Sequence, residues 1–323
     1  MSRRKVLSSV VLVSVALATT AMVPTPAVAD GHGYGHRPDR AAVAASIRCG
    51  GHDGRRTGPV LLVHGTGSNA AESWSTSFAP VLEASGFLTC AVDIPGREVG
   101  DMQTSADWVA AAIKLVADRY GRRVDVIGHS QGGVLPRLAV RLHPDVAEDV
   151  DDLVLMAGTQ HGTAVTTAFC AAGCAVAVLQ QAVGSKLLTA LNSPKELWGE
   201  RVSYTTVRST TDETVFPQDT SKLVGASNIA VQDVCPGRAT THIGLLYDSV
   251  AYAAAVDALT HKGPARVVRL TPSLCASPTV PGMDPSAEAA AGLAAFQAVV
   301  AAPPVTVEPP VRIRDGDDGH DDD

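Results

Sequence analysis

The sequence predicts an α/β fold in which a mostly parallel, doubly wound sheet is flanked by helices. Apolar runs of strand length alternate with helically spaced apolar residues along the chain. Two of these runs, residues 59–63 and 153–157, are apolar almost throughout, which is typical of strands covered on both faces. The composition, 46% hydrophobic and 18% charged over 323 residues, allows one large core.

The strands are predicted where β-branched and apolar residues cluster between turn residues. A strand leading into Gly128 precedes the motif described below. The other predicted strands are residues 59–63, 87–92, 153–157, 202–208 and 228–231.

The helices are predicted from 3.6-residue spacing and from their end signals. Thr104 with Asp107 resembles a capping box for a helix that Gly121 ends. Pro136 falls within a helix after residue 133, where it removes a backbone donor and is expected to kink the helix. The remaining predicted helices are residues 41–48, 76–85, 245–259 and an Ala-rich segment starting at Pro285.

Residues 164–191 are rich in Ala and Val, with Lys186 as their one charged residue. A solvent-exposed helix does not have this composition. Two interpretations remain open: the segment belongs to the core, or it forms the wall of a pocket for an apolar substrate.

The pattern Gly128-x-Ser130-x-Gly132 lies between a predicted strand and a predicted helix. A sharp strand-to-helix turn forces its central residue into a strained conformation, and glycines two positions on either side leave room for the crowded backbones. This is the nucleophile elbow of serine hydrolases, and it identifies Ser130 as the candidate nucleophile.

A serine hydroxyl needs a histidine base and an acid that orients the base. In this architecture the chain order is Ser, then acid, then His. His242 lies on a loop after the last predicted strand, and we prefer it to His261. Asp212 follows the end of a strand, and we prefer it to the two competing acids, Asp219 and Asp233.

The glycine-rich loop at residues 64–68 follows the first central strand. Such a loop supplies one donor of an oxyanion hole in this architecture. A phosphate-binding loop requires a Gly-Lys-Ser/Thr ending, which the segment lacks. The net charge of −7, the 4% aromatic content and the lack of a basic stripe give no sign of nucleic-acid binding.

The first 29 residues have the pattern of a signal peptide: a basic start, an apolar run and an Ala-x-Ala cleavage site. The basic start also approximates a twin-arginine export signal. We therefore predict a secreted protein with a flexible leader at 30–40, a catalytic domain at 41–302 and a disordered acidic tail at 303–323. Six cysteines in an exported chain indicate disulfides, and their number allows fifteen pairings.

Four segments together resemble the family of Candida antarctica lipase B and its bacterial relatives, which are secreted α/β-hydrolases. They are residues 60–68, the Ser130 elbow, residues 211–215, and residues 231–235 followed by His242. The resemblance runs from about Cys49 to about Ala302. It implies a triacylglycerol lipase or carboxylesterase that needs no cofactor or metal.

Residue roles follow from this resemblance. It implies Ser130, Asp212 and His242 as the triad and Thr66 and Gln131 as oxyanion-hole residues. It also places Gln181 near the active site, and it puts His129 where the family has a Trp that lines the alcohol pocket. It implies the disulfides Cys49–Cys90 and Cys235–Cys275, which leaves Cys170 to pair with Cys174.

We expect a monomer that acts on an ester or lipid substrate, with a lipid–water interface as one setting. The same triad also suits an amidase or peptidase, an acyltransferase or a polyester depolymerase. A secreted binding protein with a disabled hydrolase fold is the alternative outside enzymes, and the complete set Ser130, Asp212 and His242 argues against it.

Overall fold

The computed structural model describes residues 38–52 and 57–313. The predicted signal peptide at 1–29, most of the leader and the last ten residues of the predicted tail lie outside these residues. In the described part of the chain, no helix is both long enough and apolar enough to cross a membrane.

Seven strands form one sheet in the order β1-β3-β2-β4-β5-β6-β7. β1 is antiparallel to β3, and the other five pairings are parallel. The predicted fold class, a mostly parallel sheet flanked by helices, is confirmed. The strands are β1 Ile47–Gly50, β2 Val60–Val63, β3 Thr89–Val92, β4 Val124–His129, β5 Val150–Met156, β6 Ser203–Arg208 and β7 Ser227–Ala230.

Helices lie on both faces of the sheet. Their bounds are α1 Arg40–Ser46, α2 Ala70–Trp74, α3 Phe78–Ala84, α4 Met102–Tyr120, α5 Leu135–Leu142, α6 Val165–Phe169, α7 Val176–Gln180, α8 Lys186–Leu191, α9 Val231–Val234, α10 Ser249–Thr260 and α11 Glu288–Ala301. Short 3₁₀ turns join several of them, including Ser130–Gly133 before α5 and Ile243–Leu246 before α10.

Two apolar cores cover the two faces of the sheet. α4 and α5 pack on one face and α10 on the other. All four residues of β2 are buried, with Leu61 and Val63 in the first core and Val60 and Leu62 in the second. A strand with both faces covered must be apolar at every position, which is why the run at 59–63 was informative.

Two helix starts differ from the predictions. The helix predicted at 76–85 is present as α3, which starts two residues later, and the short α2 before it was not predicted; Asn69 caps α2 by accepting from the N–H of Glu72. α4 begins two residues before Thr104, because Asp101 is its N-cap. Asp107 is not a capping residue; it is buried and binds His143.

Pro136 does not kink a helix. The elbow is followed by a 3₁₀ turn, and α5 starts only at Leu135, so Pro136 lies in the first turn of α5. A backbone N–H there has no partner within the helix, so proline is tolerated. The kink prediction was wrong because it assumed a helix running directly from the elbow.

The described part of the predicted disordered tail is packed against the domain. Val305 pairs with Cys174 through two backbone hydrogen bonds of 2.8 and 3.1 Å. The carboxylate of Glu308 accepts from the first two N–H groups of α8. Arg312 binds Asp107 at 2.9 Å. The tail prediction therefore does not hold for residues 303–313, whose composition gives no sign of these distant partners.

The three disulfides in the structure are Cys49–Cys90, Cys170–Cys174 and Cys235–Cys275. Residues 164–191 form three short helices, α6 to α8, rather than one long element. Leu187, Leu188 and Leu191 belong to the core, whereas Val178 and Gln181 face the cavity described below. Both interpretations of this segment therefore hold, each for a different part of it.

Candidate active site

The turn after β4 holds Ser130 in a left-handed conformation with φ of 59°. A Cβ at Gly128 would lie 1.8 Å from the carbonyl oxygen of Gly132, and a Cβ at Gly132 would lie 2.2 Å from that of His64. Both distances are far inside van der Waals contact. The two glycines are therefore required by backbone packing, and the turn projects Ser130 at the carboxyl edge of the sheet.

Three of the predicted side chains meet there. Ser130 Oγ lies 2.9 Å from His242 Nε2, and His242 Nδ1 lies 2.9 Å from Asp212 Oδ2. An ionised carboxylate only accepts, so Nδ1 carries the proton and Nε2 accepts from the Ser130 hydroxyl. The hydroxyl, the imidazole and the carboxylate thus form a continuous hydrogen-bonded path whose two bonds join residues 112 and 30 positions apart.

Asp212 is held as an anion by its surroundings. Its buried position raises the pKa of the carboxyl, but the His242 imidazole and the N–H groups of Val215 and Thr214 outweigh this and lower the pKa below its usual value. Each of the two N–H groups donates to Oδ1 at 2.8 Å. The carboxylate therefore has a fixed orientation and keeps its charge near neutral pH.

Two further residues fix the backbone of His242. His129 Nε2 donates to the carbonyl oxygen of His242 at 2.8 Å, and the two rings lie 4.8 Å apart. Burial, with a smaller effect of His242, lowers the pKa of His129 to about 3, so His129 is neutral. The N–H of His242 donates to Glu213 Oε2 at 3.0 Å.

The predicted oxyanion residues belong to one polar network beside Ser130. Thr66 Oγ1 donates to Gln131 Oε1 at 2.6 Å. Gln181 Nε2 lies 3.0 Å from both of these oxygens, and Thr159 donates to Gln181 Oε1 at 2.9 Å. The network joins the loop after β2 to the elbow after β4, so the backbone N–H groups of residues 66 and 131 are held in a fixed relation.

A cavity of about 270 Å³ opens above Ser130 and His242. One wall is apolar and comes mainly from α11 and the turn after His242; it includes Ile243, Leu246, Ala291, Ala295, Phe296 and Val299. Another part of the lining carries hydroxyl groups, from Thr159, Thr163, Thr166 and Thr214. His129 and Gln181 also line the cavity, so both sequence-predicted substrate residues lie beside it.

Residues 59–206 match the family model of palmitoyl protein thioesterase. Lipase B of Pseudozyma antarctica is 31% identical over 210 residues, which are 62% of this chain and 61% of that protein. The crystal structure of Aspergillus fumigatus lipase B superimposes with a TM-score of 0.79 at 28% identity, over 90% of this chain and 76% of the other. The chain has the α/β-hydrolase fold and is similar to the lipase B proteins.

The match spans less than two thirds of the Pseudozyma lipase B. A more distant structure, the mature form of a Bacillus licheniformis lipase, shares the α/β-hydrolase fold with a TM-score of 0.51 at 15% identity. The resemblance predicted from the Ser130 elbow and the other three segments is confirmed at the level of fold and family likeness.

The favoured base and acid are the candidates that lie beside Ser130. Asp219 is exposed and pairs with Arg208 and Lys222. Asp233 accepts from the N–H of Ala230 within its own turn. His261 is half exposed and lies 3.2 Å from Asp257.

One group of carboxylates in the described residues is spaced like metal ligands. Oxygens of Asp125, Asp151 and Asp152 lie within 4.8 Å of one another. They stand at the start of β4 and β5, the edge of the sheet opposite Ser130, and Arg123 already binds Asp151 at 2.8 Å. The triad geometry does not involve this group.

The sequence analysis did not identify the acidic residues that hold the loop carrying His242 in place. Glu213 follows the predicted acid directly, but its contact with His242 depends on two loops meeting in the fold. Glu288 accepts from the hydroxyl of Thr241 and so ties α11 to the loop of His242. The only sequence feature that could have indicated these two contacts is that Glu213 follows Asp212 directly and Thr241 precedes His242 directly.

Proposed function

We propose that this protein is a secreted serine hydrolase that cleaves carboxylic esters, as a triacylglycerol lipase or carboxylesterase. Ser130 is the nucleophile, His242 the general base and Asp212 the acid that orients it. The observation that carries the proposal is the hydrogen-bonded path from Asp212 through His242 to Ser130 at the floor of an apolar cavity. The similarity to the lipase B proteins supports an ester substrate.

The chemistry follows from the protonation states. His242 Nε2 takes the proton of Ser130 as Oγ forms a bond to the ester carbonyl carbon. The backbone N–H groups of Thr66 and Gln131 stabilise the oxyanion, and loss of one such donor costs about 10²–10³ in rate. His242 then gives the proton to the leaving alcohol. Water, activated by the same imidazole, hydrolyses the acyl-enzyme and regenerates Ser130.

The walls of the cavity favour an apolar acyl group. α11 presents apolar and small side chains to the cavity, and it also exposes Leu293, Phe296 and Val300 to solvent by 53 to 58%. Exposed apolar side chains beside a cavity are typical of contact with an apolar surface. This supports action at a lipid–water interface.

Thioesters are the second candidate substrate, because the matching family model is that of palmitoyl protein thioesterase. Attack on a thioester uses the same triad, with a thiol instead of an alcohol as the leaving group. Amides, acyl transfer to an alcohol and polyester cleavage are the remaining possibilities for this triad. We rank them lower because the apolar α11 wall suits the long acyl chain of a lipid ester.

We propose secretion through a signal peptide that covers residues 1–29. The three disulfides support an oxidising compartment. Expression in a secreting host followed by N-terminal sequencing of the exported protein tests this, with Asp30 as the expected first residue. Dependence on the twin-arginine or the general pathway decides the export route, and gel filtration tests the predicted monomer.

The activity is tested with p-nitrophenyl esters of rising acyl length, matched thioesters and anilides, for wild type and Ser130→Ala. Ser273→Ala is the control, because Ser273 is exposed and its hydroxyl binds only the neighbouring Thr271 among the contacts described. We expect ester turnover in the wild type and the control and none in Ser130→Ala. Equal turnover in Ser130→Ala would refute the assignment, and faster thioester turnover would favour the second candidate.

A further inference from the structure

The turn after β3 has an unfavourable backbone conformation. Gly96, Arg97 and Glu98 have φ angles of 67°, 54° and 54°, three left-handed residues in succession. Two of them carry a Cβ, which makes this region of φ unfavourable. Such strain persists only where the surrounding contacts hold it, and it occurs preferentially at functional sites.

Arg97 binds the oxyanion loop on both sides of Gly67. The N–H of Gly67 donates to the carbonyl oxygen of Arg97 at 2.7 Å. Arg97 Nε donates to the carbonyl oxygen of Gly67, also at 2.7 Å. The two bonds fix the peptide units before and after Gly67, and the first of these units begins at the carbonyl of Thr66.

The guanidinium of Arg97 is itself held in place. It donates two bonds to the carboxylate of Glu72, at 3.1 and 2.6 Å. Glu72 belongs to α2 and lines the cavity above Ser130. A planar guanidinium that is paired in this way keeps its Nε–H pointing in one direction.

The same turn also contacts the residue before the loop. Glu98 Oε1 lies 3.5 Å from His64 Nδ1, and His64 Nε2 accepts from the N–H of Ile94 at 3.1 Å. All three side chains are buried. Residues 64 and 67, which flank the loop that carries Thr66, are therefore both held by residues 94–98.

On its other side, the loop packs tightly against the backbone of α11. A Cβ on Gly67 would lie 2.2 Å from the carbonyl oxygen of Ala295 in α11. Gly67 has φ of 74°, a conformation that glycine adopts as readily as many others. Gly67 lies between α11 and Arg97, and because glycine has several accessible backbone conformations, the bonds from Arg97 select the one that is observed.

We propose that Arg97 is a positioning residue for catalysis: it holds the Thr66–Gly67 backbone so that the N–H of Thr66 points at the developing oxyanion. This rests on the proposed function. Oxyanion donors act only when they are held within a few tenths of an ångström of the productive position before the reaction. Arg97 itself touches neither Ser130 nor the substrate carbonyl in this mechanism.

Arg97→Gly tests the proposal. Glycine accepts the left-handed conformation without strain, so the turn and its carbonyl contact with Gly67 are kept while the side chain is lost. We expect kcat on a p-nitrophenyl ester to fall about tenfold, with KM changed by less than twofold, because the affected interaction is made in the transition state. The melting temperature should stay within about 3 °C of the wild type.

Two further variants complete the design. Arg97→Lys keeps the charge but not the planar fork, so its kcat should lie between those of the wild type and Arg97→Gly. Arg40→Ala is the control, because Arg40 is exposed and its ion pair with Asp118 involves no residue of the 64–68 loop. This variant should retain the wild-type kcat. Faster amide exchange in the peptide that contains residues 64–68 should accompany the loss in Arg97→Gly.

The outcomes separate this inference from the proposed function. An active wild type together with Arg97→Gly of wild-type kcat overturns the inference alone. A higher KM at unchanged kcat also overturns it, since Arg97 would then act on substrate binding. If the wild type shows neither esterase nor thioesterase activity and a fluorophosphonate does not label Ser130, both the proposed function and this inference are refuted.

Discussion

Replacement of Glu98 by Gln is predicted to stabilise the protein at neutral and alkaline pH. The side chain of Glu98 is fully buried, and neither carboxyl oxygen has a hydrogen-bond partner in the described structure. Burial raises the pKa of this carboxyl well above its usual value, because the ionised form loses its hydration. Glutamine has nearly the same shape and carries no charge at any pH.

The magnitude follows from proton linkage. In the unfolded chain a glutamate ionises with a pKa of about 4.3. Between that pH and the raised pKa of the folded state, the unfolded chain has lost the proton that the folded chain keeps. The free energy of unfolding therefore falls as pH rises, by about 1.4 kcal/mol per pH unit across this window. Below about pH 4 the effect is absent, and above the folded pKa it is complete.

The nearby histidine does not cancel this effect. His64 lies 3.5 Å from Glu98 Oε1, but burial lowers the pKa of its imidazole to about 4. His64 is therefore neutral through most of the window and cannot compensate a charge on Glu98. The stability gap between Glu98→Gln and the wild type should open from pH 4 upward.

Urea unfolding followed by circular dichroism at half-unit steps from pH 4 to pH 8 measures this gap. Glu200→Gln serves as the control because Glu200 is exposed. We expect equal midpoints at pH 4 and a progressively higher midpoint for Glu98→Gln at higher pH. A gap that does not change with pH, or a Gln variant that becomes less stable as pH rises, would refute the reasoning.

Three further predictions concern single contacts. Asp212→Asn should lower kcat on a p-nitrophenyl ester by about 10⁴ without changing the circular dichroism spectrum, because the amide favours the wrong imidazole tautomer; a loss below tenfold would contradict the role of the carboxylate. Glu308→Ala removes the carboxylate at the start of α8 and should cost about 1 kcal/mol in urea unfolding; an unchanged midpoint would mean that the contact of residue 308 with α8 does not stabilise the fold. Joint replacement of Cys235 and Cys275 by Ser, which opens a link across 40 residues, should cost about 2–4 kcal/mol in the same assay; an unchanged midpoint would contradict it.

The central strands were predictable because their environment imposes a strict composition. β2 and residues 153–156 of β5 are covered on both faces, so apolar residues occupy every one of these positions. β1 was missed for the opposite reason. It is an edge strand with a largely exposed middle, and its sequence, Ile47 to Gly50, has no run of apolar residues. Its pairing with β3 brings Cys49 opposite Cys90, a relation that depends on register rather than on local pattern.

The candidate site divides in the same way. Ser130 was predictable because the elbow needs glycine at 128 and 132, and these glycines are visible in the sequence. Asp212 and His242 followed from chain order and from their places after strands. Arg97 gave no signal, because it meets Gly67 only through the pairing of β2 with β3. A supporting residue on a neighbouring strand end has no fixed sequence spacing from the residue that it supports.

Strained backbone is concentrated at the carboxyl edge of the sheet. In the described chain the non-glycine residues with positive φ are Arg97 and Glu98 after β3, Ser130 after β4 and Ala157 after β5. Gly67, also left-handed, follows β2. Each non-glycine example costs about 1–3 kcal/mol, so together they are comparable with the whole stability of a typical domain, about 5–15 kcal/mol.

Contacts between neighbouring strand ends hold this strain. The order β3-β2-β4-β5 places the four left-handed turns side by side. Arg97 binds Gly67 across the first pair, the Cβ-free Gly132 packs on His64 across the second, and the N–H of Ala157 donates to β6 at 2.8 Å beyond the third. Every turn is therefore fixed by the strand next to it, and the two buried cores keep those strands in register. The arrangement of donors around Ser130 is therefore a property of the sheet edge as a whole, and we expect that loosening one turn disturbs the next.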